Sequence, residues 1–341
     1  MRWDSSTPSA VPWMLDSELE GAMERQYRHF LLTVDESPDC LRPMRFLATL
    51  YPELRNVHVL LCHFYAPLAP IYRQPGLSPS MVAQKEALVS ARQEHARAIL
   101  DKARHALIGL GVTAENIQLH TQERSVSEAQ YSCSLASVKR VDGVLVPKTL
   151  GGKLDGFLRG DPIPAHLRHC LAKPVWFLEG AHIDTNQAVI GMVDQEASLR
   201  AARHAGSMLA GCGTRIDLVH CDAHMDWSII SEVTEPSPQL LAWEKTPGGQ
   251  LILPYLQEVL QILAKEGIPE TLVRIVVLPA EGDVARSILK YCQHHHVGIV
   301  VLGHAKPEGI WSFVQNSVTK AILSEFKNMA VWVVQRGTGS A

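Results

Sequence analysis

The chain has 341 residues, and its 32 Lys and Arg nearly balance 35 Asp and Glu, for a formal net charge of −3. That length suits two ordinary domains, and the charge gives no general reason to expect nucleic acid or an anionic membrane as partner. No apolar run approaches the ~18 residues of a membrane span, no basic-then-apolar leader opens the chain, and the seven cysteines form no CxxC pair. A soluble cytoplasmic protein with reduced, small, buried cysteines is expected.

Residues 1 to 28 read as an N-terminal extension, rich in Ser, Pro and Trp at its beginning, with a short helix predicted over Asp16 to Tyr27. Trp3 and Trp13 are candidates to pack on a domain surface. The first strand, Phe30 to Val34, ends at Asp35, and a Ser37-Pro38 turn leads into a helix through about Leu50. Val57 to Cys62 is the second strand; Ala66 to Ser80 carries four prolines and reads as a surface loop. A helix from about Met81 to Leu110 stops at Gly109 and Gly111, Ile117 to Thr121 is the third strand, and Val126 to Lys139 the third helix.

Val141 to Leu178 then closes the first half, and the polar stretch Ala181 to Gln187 reads as a hinge. The second half repeats the order: strand Val189 to Val193, helix Glu196 to Leu209, strand Ile216 to Cys221, and a long irregular loop from Asp222 to about Gly249. Helix Leu251 to Glu266, strand Val273 to Leu278 and a helix from Asp283 or Val284 to His294 follow. Gly298 to Leu302 is a buried strand ending at Gly303, a helix is predicted to begin at Asn316-Ser317, and Ala330 to Val334 is the last strand. Continuous Val- and Ile-rich runs of this kind are what parallel strands covered on both faces require.

The two closing blocks are copies. Pro147 lines up with Gly303, Gly160 with Asn316, Asp161 with Ser317 and Trp176 with Trp332, at one constant offset and without a gap. Upstream, the strand ending in Val34-Asp35 matches that ending in Val193-Asp194, and His63 matches His220. A repeat of half the chain implies duplication of a whole domain.

The pattern resembles the universal stress proteins in their tandem form. That family opens with a strand ending in Val-Asp and closes with glycine, two residues, glycine, nine residues, then glycine and Ser or Thr. Here the second repeat has Gly303, Lys306, Asn316 and Ser317, and the first has Pro147, Leu150, Gly160 and Asp161. The resemblance implies two doubly wound α/β domains, residues 29–180 and 188–335, each a five-stranded parallel sheet of order 3-2-1-4-5, with residues 336–341 as a tail. It also implies an internal pseudo-dimer packed through the fifth strands, with Val175-Trp176-Phe177 and Val331-Trp332-Val333 as the seam. A further homodimer is left open.

The resemblance implies ATP or a related nucleotide as ligand, with Asp35 or Asp194 at the base and the closing turn at the phosphates. Asp35 reads equally as a helix cap. In the second repeat Asp194, Gly303, Lys306, Asn316 and Ser317 are the candidates; in the first, Asp35 and Gly160. The second repeat is favoured, because Pro147 lacks an N–H and Asp161 repels phosphate where Gly303 and Ser317 do not. Among the 16 histidines, His220, Cys221 and His224 form a candidate zinc set at a strand end, while His294-His295-His296 lies at the far end of the fourth strand. No Gly-x-Ser-x-Gly elbow, Walker motif or HExxH is present. The leading expectation is a non-enzymatic stress-response protein that binds an unidentified protein partner; a nucleotide-dependent switch or slow ATPase, and a zinc-binding module, are the alternatives.

Overall fold

The computed structural model describes residues 27–148, 162–192, 195–280, 282–304 and 312–335. Trp3, Trp13 and the expected N-terminal helix, apart from Tyr27, lie outside them. Strands β1 (Arg28–Thr33), β2 (Val57–Tyr65), β3 (Ile117–Glu123), β4 (Gly143–Pro147) and β5 (Val175–Glu179) form the first half, with helices α1 (Arg42–Leu50), α2 (Pro79–Leu110), α3 (Glu128–Val138) and α4 (Pro162–His169). The second half holds β6 (Gln187–Gly191), α5 (Gln195–Leu209), β7 (Arg215–Asp222), β8 (Ile229–Glu232), α6 (Pro238–Trp243) and α7 (Pro247–Lys265). It continues with β9 (Val273–Pro279), α8 (Val284–His294), β10 (Ile299–His304), α9 (Ser312–Glu325) and β11 (Met329–Gln335). No helix among the described residues is long and apolar enough to cross a membrane.

The eleven strands of the described residues form one sheet, ordered β3-β2-β1-β4-β5-β11-β10-β6-β7-β9-β8. Each half therefore carries the expected 3-2-1-4-5 order, read inward from its own third strand. The sheet is covered on both sides: Phe30 and Leu32 enter one core, and Leu31 between them enters the other. Alternate side chains of one strand must serve opposite faces, which is why β1 has no polar residue among Phe30, Leu31 and Leu32.

Local chemistry sets the helix ends. Ser78 caps α2 by accepting from the Met81 N–H, Pro79 starts it, and Gly111, at φ 108°, stops it. Thr246 caps α7 in the same way, so this helix begins at Pro247 rather than Leu251.

Three expectations are corrected. The stretch from Asp222 to Gly249 is not irregular throughout: it carries α6 and β8, which pairs antiparallel with β9 and gives the second half a sixth strand. The reason is a short alternation, with Ile229 and Ser231 turned inward and Ile230 and Glu232 outward. Helix α9 begins at Ser312, about a turn before Asn316, because no glycine or proline interrupts Ser312 to Ser317. Finally, Cys133 and Cys170 are disulfide-bonded, with Cα atoms 4.8 Å apart, so the seven cysteines are not uniformly reduced thiols. Packing of α3 against α4 brings the pair together across 37 residues, which sequence spacing alone does not reveal.

The halves meet where the last strands predicted. β5 and β11 pair antiparallel, Trp176 opposite Trp332, Val175 opposite Val333 and Phe177 opposite Val331. The two indoles, both at 0% exposure, stack with centroids 3.8 Å apart and planes 3° from parallel. Trp176 donates to His204 Nε2 at 2.9 Å, and burial pushes that histidine down to about 3, keeping it a neutral acceptor. Lys148 reaches across to donate to the Phe326 carbonyl at 3.0 Å, at the end of α9, with its ammonium 4.3 Å from the Phe326 ring centre. Arg28 crosses in the other direction, donating to the Ala210 carbonyl at 2.6 Å while lying over the Tyr51 ring.

Two outcomes follow from burial. His166 is 2% exposed, and its Nε2 has no partner among the described residues; burial first of all, with the His169 charge a lesser cause, pushes its pKa down to about 4. A depressed histidine pKa means that acid favours the unfolded chain, so stability falls between pH 6.5 and about 4, at about 1.4 kcal/mol per pH unit. Urea unfolding at several pH values should show this slope reduced in His166→Gln; an identical slope would refute it. At the entry to β10, a Cβ on Gly298 would stand 1.6 Å from the Asp184 carbonyl oxygen. Gly298→Ala should therefore lower stability by ~2 kcal/mol or more, seen as a drop in melting temperature.

Candidate functional site

Open parallel sheets bind ligands beyond the carboxyl ends of their strands, at the point where strand order reverses. Here the reversals lie between β1 and β4 and between β6 and β10. Because β5 and β11 run antiparallel, the two carboxyl edges lie on opposite rims of the sheet.

In the first half, Asp35 follows β1 and accepts from both the Ser37 N–H, at 2.9 Å, and the Ser37 hydroxyl, at 2.6 Å. This turn leads into a 3-10 segment, Pro38–Leu41, ahead of α1. The helix-cap reading of Asp35 is corrected: its carboxylate shapes the turn, while the cap positions of the 3-10 segment and of α1 are Ser37 and Leu41, neither with a side-chain cap hydrogen bond. His63 makes a 2.8 Å Nδ1 hydrogen bond to the Val34 carbonyl and braces the same strand end. Beside them a cavity of about 650 Å³ lies between the turn, α1, the middle of α2 and Ala181. Gly160 lies outside the described residues.

In the second half, Asp194 and Lys306 also lie outside them, as do the side chains of Asn316 and Ser317. Gly303 occupies the end of β10, where an added Cβ would come within 2.0 Å of the Ala197 carbonyl oxygen in the first turn of α5. The missing side chain is demanded by this helix–strand approach, whatever a ligand requires. Asn316 and Ser317 are inside α9 rather than at its start, which corrects their assignment as its cap. Their backbone N–H groups therefore belong to the helix ladder and not to an anion. Arg200 Nη2 donates to the His304 carbonyl at 3.4 Å and pairs with Glu196 at 3.6 Å. Burial lowers the His304 pKa, and the Lys320 charge lowers it further, so two cations flank this reversal point.

Among solved structures the chain is similar to a universal stress protein from Archaeoglobus fulgidus, at 12% identity and a TM-score of 0.60, over 92% of this chain and 100% of that one. The chain has the universal stress protein fold. The likeness is one of fold, and its coverage takes in both halves, as the tandem form requires. A protein of the universal stress family from Burkholderia pseudomallei matches at 17% identity and a TM-score of 0.31, over 45% of this chain and 96% of that one. A universal stress protein in complex with cAMP matches at 18% identity and a TM-score of 0.28, over 45% and 95%. At such scores neither adds to the assignment. No family model matches the chain, and no curated protein does.

Within this universal stress fold, the proposed zinc set does not assemble. His220 and Cys221 are neighbours on β7 and must point to opposite faces. The His220 ring makes a 3.3 Å Nδ1 hydrogen bond to the Met192 carbonyl and lies 6.0 Å from Trp243, whereas Cys221 packs in the core of the other face. Burial pushes the Cys221 thiol up to about 12, the reverse of what a thiolate ligand needs. No group of three His, Cys, Asp or Glu able to hold a metal occurs among the described residues. His294 and His295 instead end α8, with the His295 ring tilted 35° against that of Tyr291 at a centroid distance of 4.3 Å.

Two polar anchors escaped the sequence reading. Asp222 accepts from Trp243 Nε1 at 2.8 Å and from the His224 N–H at 2.9 Å, tying the long β7–β8–α6 excursion to its origin. Asp217, fully buried, accepts from Arg274 at 2.7 and 3.0 Å and from Tyr291 at 2.8 Å. The available signal was the carboxylate itself: an Asp between Ile216 and Leu218 in a buried strand requires a cation nearby.

Asp222→Ala would leave the Trp243 N–H, on a side chain 2% exposed, without its acceptor. A loss of about 1–3 kcal/mol is expected from denaturant unfolding, with most of it restored in Asp222→Asn. Equal losses in the two variants would argue against the hydrogen bond as the cause.

Proposed function

We propose that this chain is a non-enzymatic cytoplasmic stress-response protein of the universal stress type, acting by binding a protein partner and holding ATP or a related nucleotide in its second half. The observation that carries the ligand assignment is the charge at the β6–β10 reversal, where Arg200 and Lys320 flank His304. Phosphates are attracted to such a pair even with Glu196 3.6 Å from Arg200, and Lys306, two residues beyond β10 in the sequence, would add a third cation. Asp194, three residues beyond β6 in the sequence, would meet the base. Gly303 would line the phosphate side, and Asn316 and Ser317 would contribute through their side chains alone, since their backbone N–H groups belong to the helix ladder. The first half offers less: Pro147 has no N–H, and the Lys148 ammonium is drawn across the seam to the Phe326 carbonyl at 3.0 Å.

Mass spectrometry of the purified protein, native and then denatured, should reveal retained nucleotide, and calorimetry should give ATP binding by the second half. Gly303 is left intact in the test because its contact with Ala197 is structural. Lys320→Ala and Ser317→Asp should each weaken ATP binding by about tenfold, the scale of one lost charge-assisted contact. Unchanged affinity in both would remove the assignment. Accumulation of ADP over hours would instead favour the slow ATPase.

A further inference from the structure

The 650 Å³ cavity of the first half lies beside the turn that follows β1. Its walls come from the β1–α1 turn, α1, α2 and Ala181, and none of the described β4 residues lines it. Its size is within the roughly 300–1,000 Å³ typical of small-molecule sites. Ile99, Leu41 and the nearly buried Cys40 and Ala103 give it an apolar floor.

The charges around it are unevenly matched. Asp39 accepts from Arg42 at 2.7 Å, Glu36 faces His95 at 3.3 Å, and Asp35 is bound into its turn by Ser37. Arg45 and Lys102 line the same cavity from α1 and α2, both exposed, and neither is in an ion pair among the described residues. The Cys40 thiol, raised by burial and by Asp35, stays protonated and adds no negative charge. An apolar floor below two cations that are in no ion pair among the described residues suits a ligand with a hydrocarbon body and an anionic head. The three nearby carboxylates disfavour a multiply charged phosphate and leave a monoanion as the better match.

We propose that this cavity is a second ligand site, which takes an amphipathic carboxylate with its chain on Ile99 and Leu41 and its head between Arg45 and Lys102. It is separate from the nucleotide reading, and either can fail alone. Calorimetry of the full chain with decanoate should give saturable binding of one ligand, weakened at high salt. Decanol, of the same length but uncharged, should bind at least about tenfold more weakly. The double variant Arg45→Glu with Lys102→Glu should reduce decanoate binding by about tenfold or more, while leaving the melting temperature and ATP binding unchanged. Ala98→Trp, which fills the cavity without altering charge, should also remove it. Non-saturable uptake, equal binding of decanol, or undiminished binding in either variant would each overturn the proposal.

Discussion

The structure depends on one contact, the stacked indoles of Trp176 and Trp332 at the centre of the β5–β11 pair. Each fifth strand is apolar on both faces, so each half on its own would present an unpaired hydrophobic edge to water. Pairing the two edges satisfies their backbone groups and buries two large rings in one step. The flanking polar contacts then fix how the halves sit: Lys148 at the end of α9, Arg28 at the end of α5, and His204 beneath the first indole. His204 can accept only because it is neutral, so the apolar surroundings and the hydrogen bond depend on each other. Trp332 has no such acceptor; its Nε1 is buried without a partner among the described residues. The duplicated halves have therefore diverged even at their shared contact.

Much of the architecture was legible because duplication is visible as a constant offset. Two buried apolar runs separated by helical stretches, occurring twice, indicate a parallel sheet; its strand order and the seam at the paired tryptophans are what the resemblance to the universal stress proteins implies. Chain geometry of a different kind was harder to read. The alternation Ile229 to Glu232 is only four residues long, too short to distinguish an edge strand from a loop before β9 supplies its partner. The start of α9 was placed late because the family pattern puts a glycine where this chain has Asn316, and Asn316 is compatible with a helix interior.

The sites were less legible than the fold, for a physical reason. A strand pattern reports which residues face a core, but not which distant side chains converge. His220 and Cys221 look like metal ligands as a string and are kept apart by the pleat of β7. Gly303 looks like a phosphate contact and is also required by the first turn of α5. Arg45 and Lys102 are 57 positions apart, unremarkable as surface cations until α1 and α2 place them on one cavity. The buried Asp217 also went unread, although its place between Ile216 and Leu218 in an apolar strand already called for a cation.

Fusing the two sheets also changes the chain's exposure to aggregation. Two separate sheets would have four unpaired edges; the continuous sheet has two, β3 and β8. β8 spans four residues and turns Glu232 outward, which limits the length of strand a second molecule could add. β3 is longer, but its exposed positions include Gln118 beside Leu119, and Glu123 at its end is paired with Arg73 at 3.0 Å. Joining through β5 and β11 hides the two most sticky edges inside the molecule and leaves at its margins those least suited to templating a neighbour.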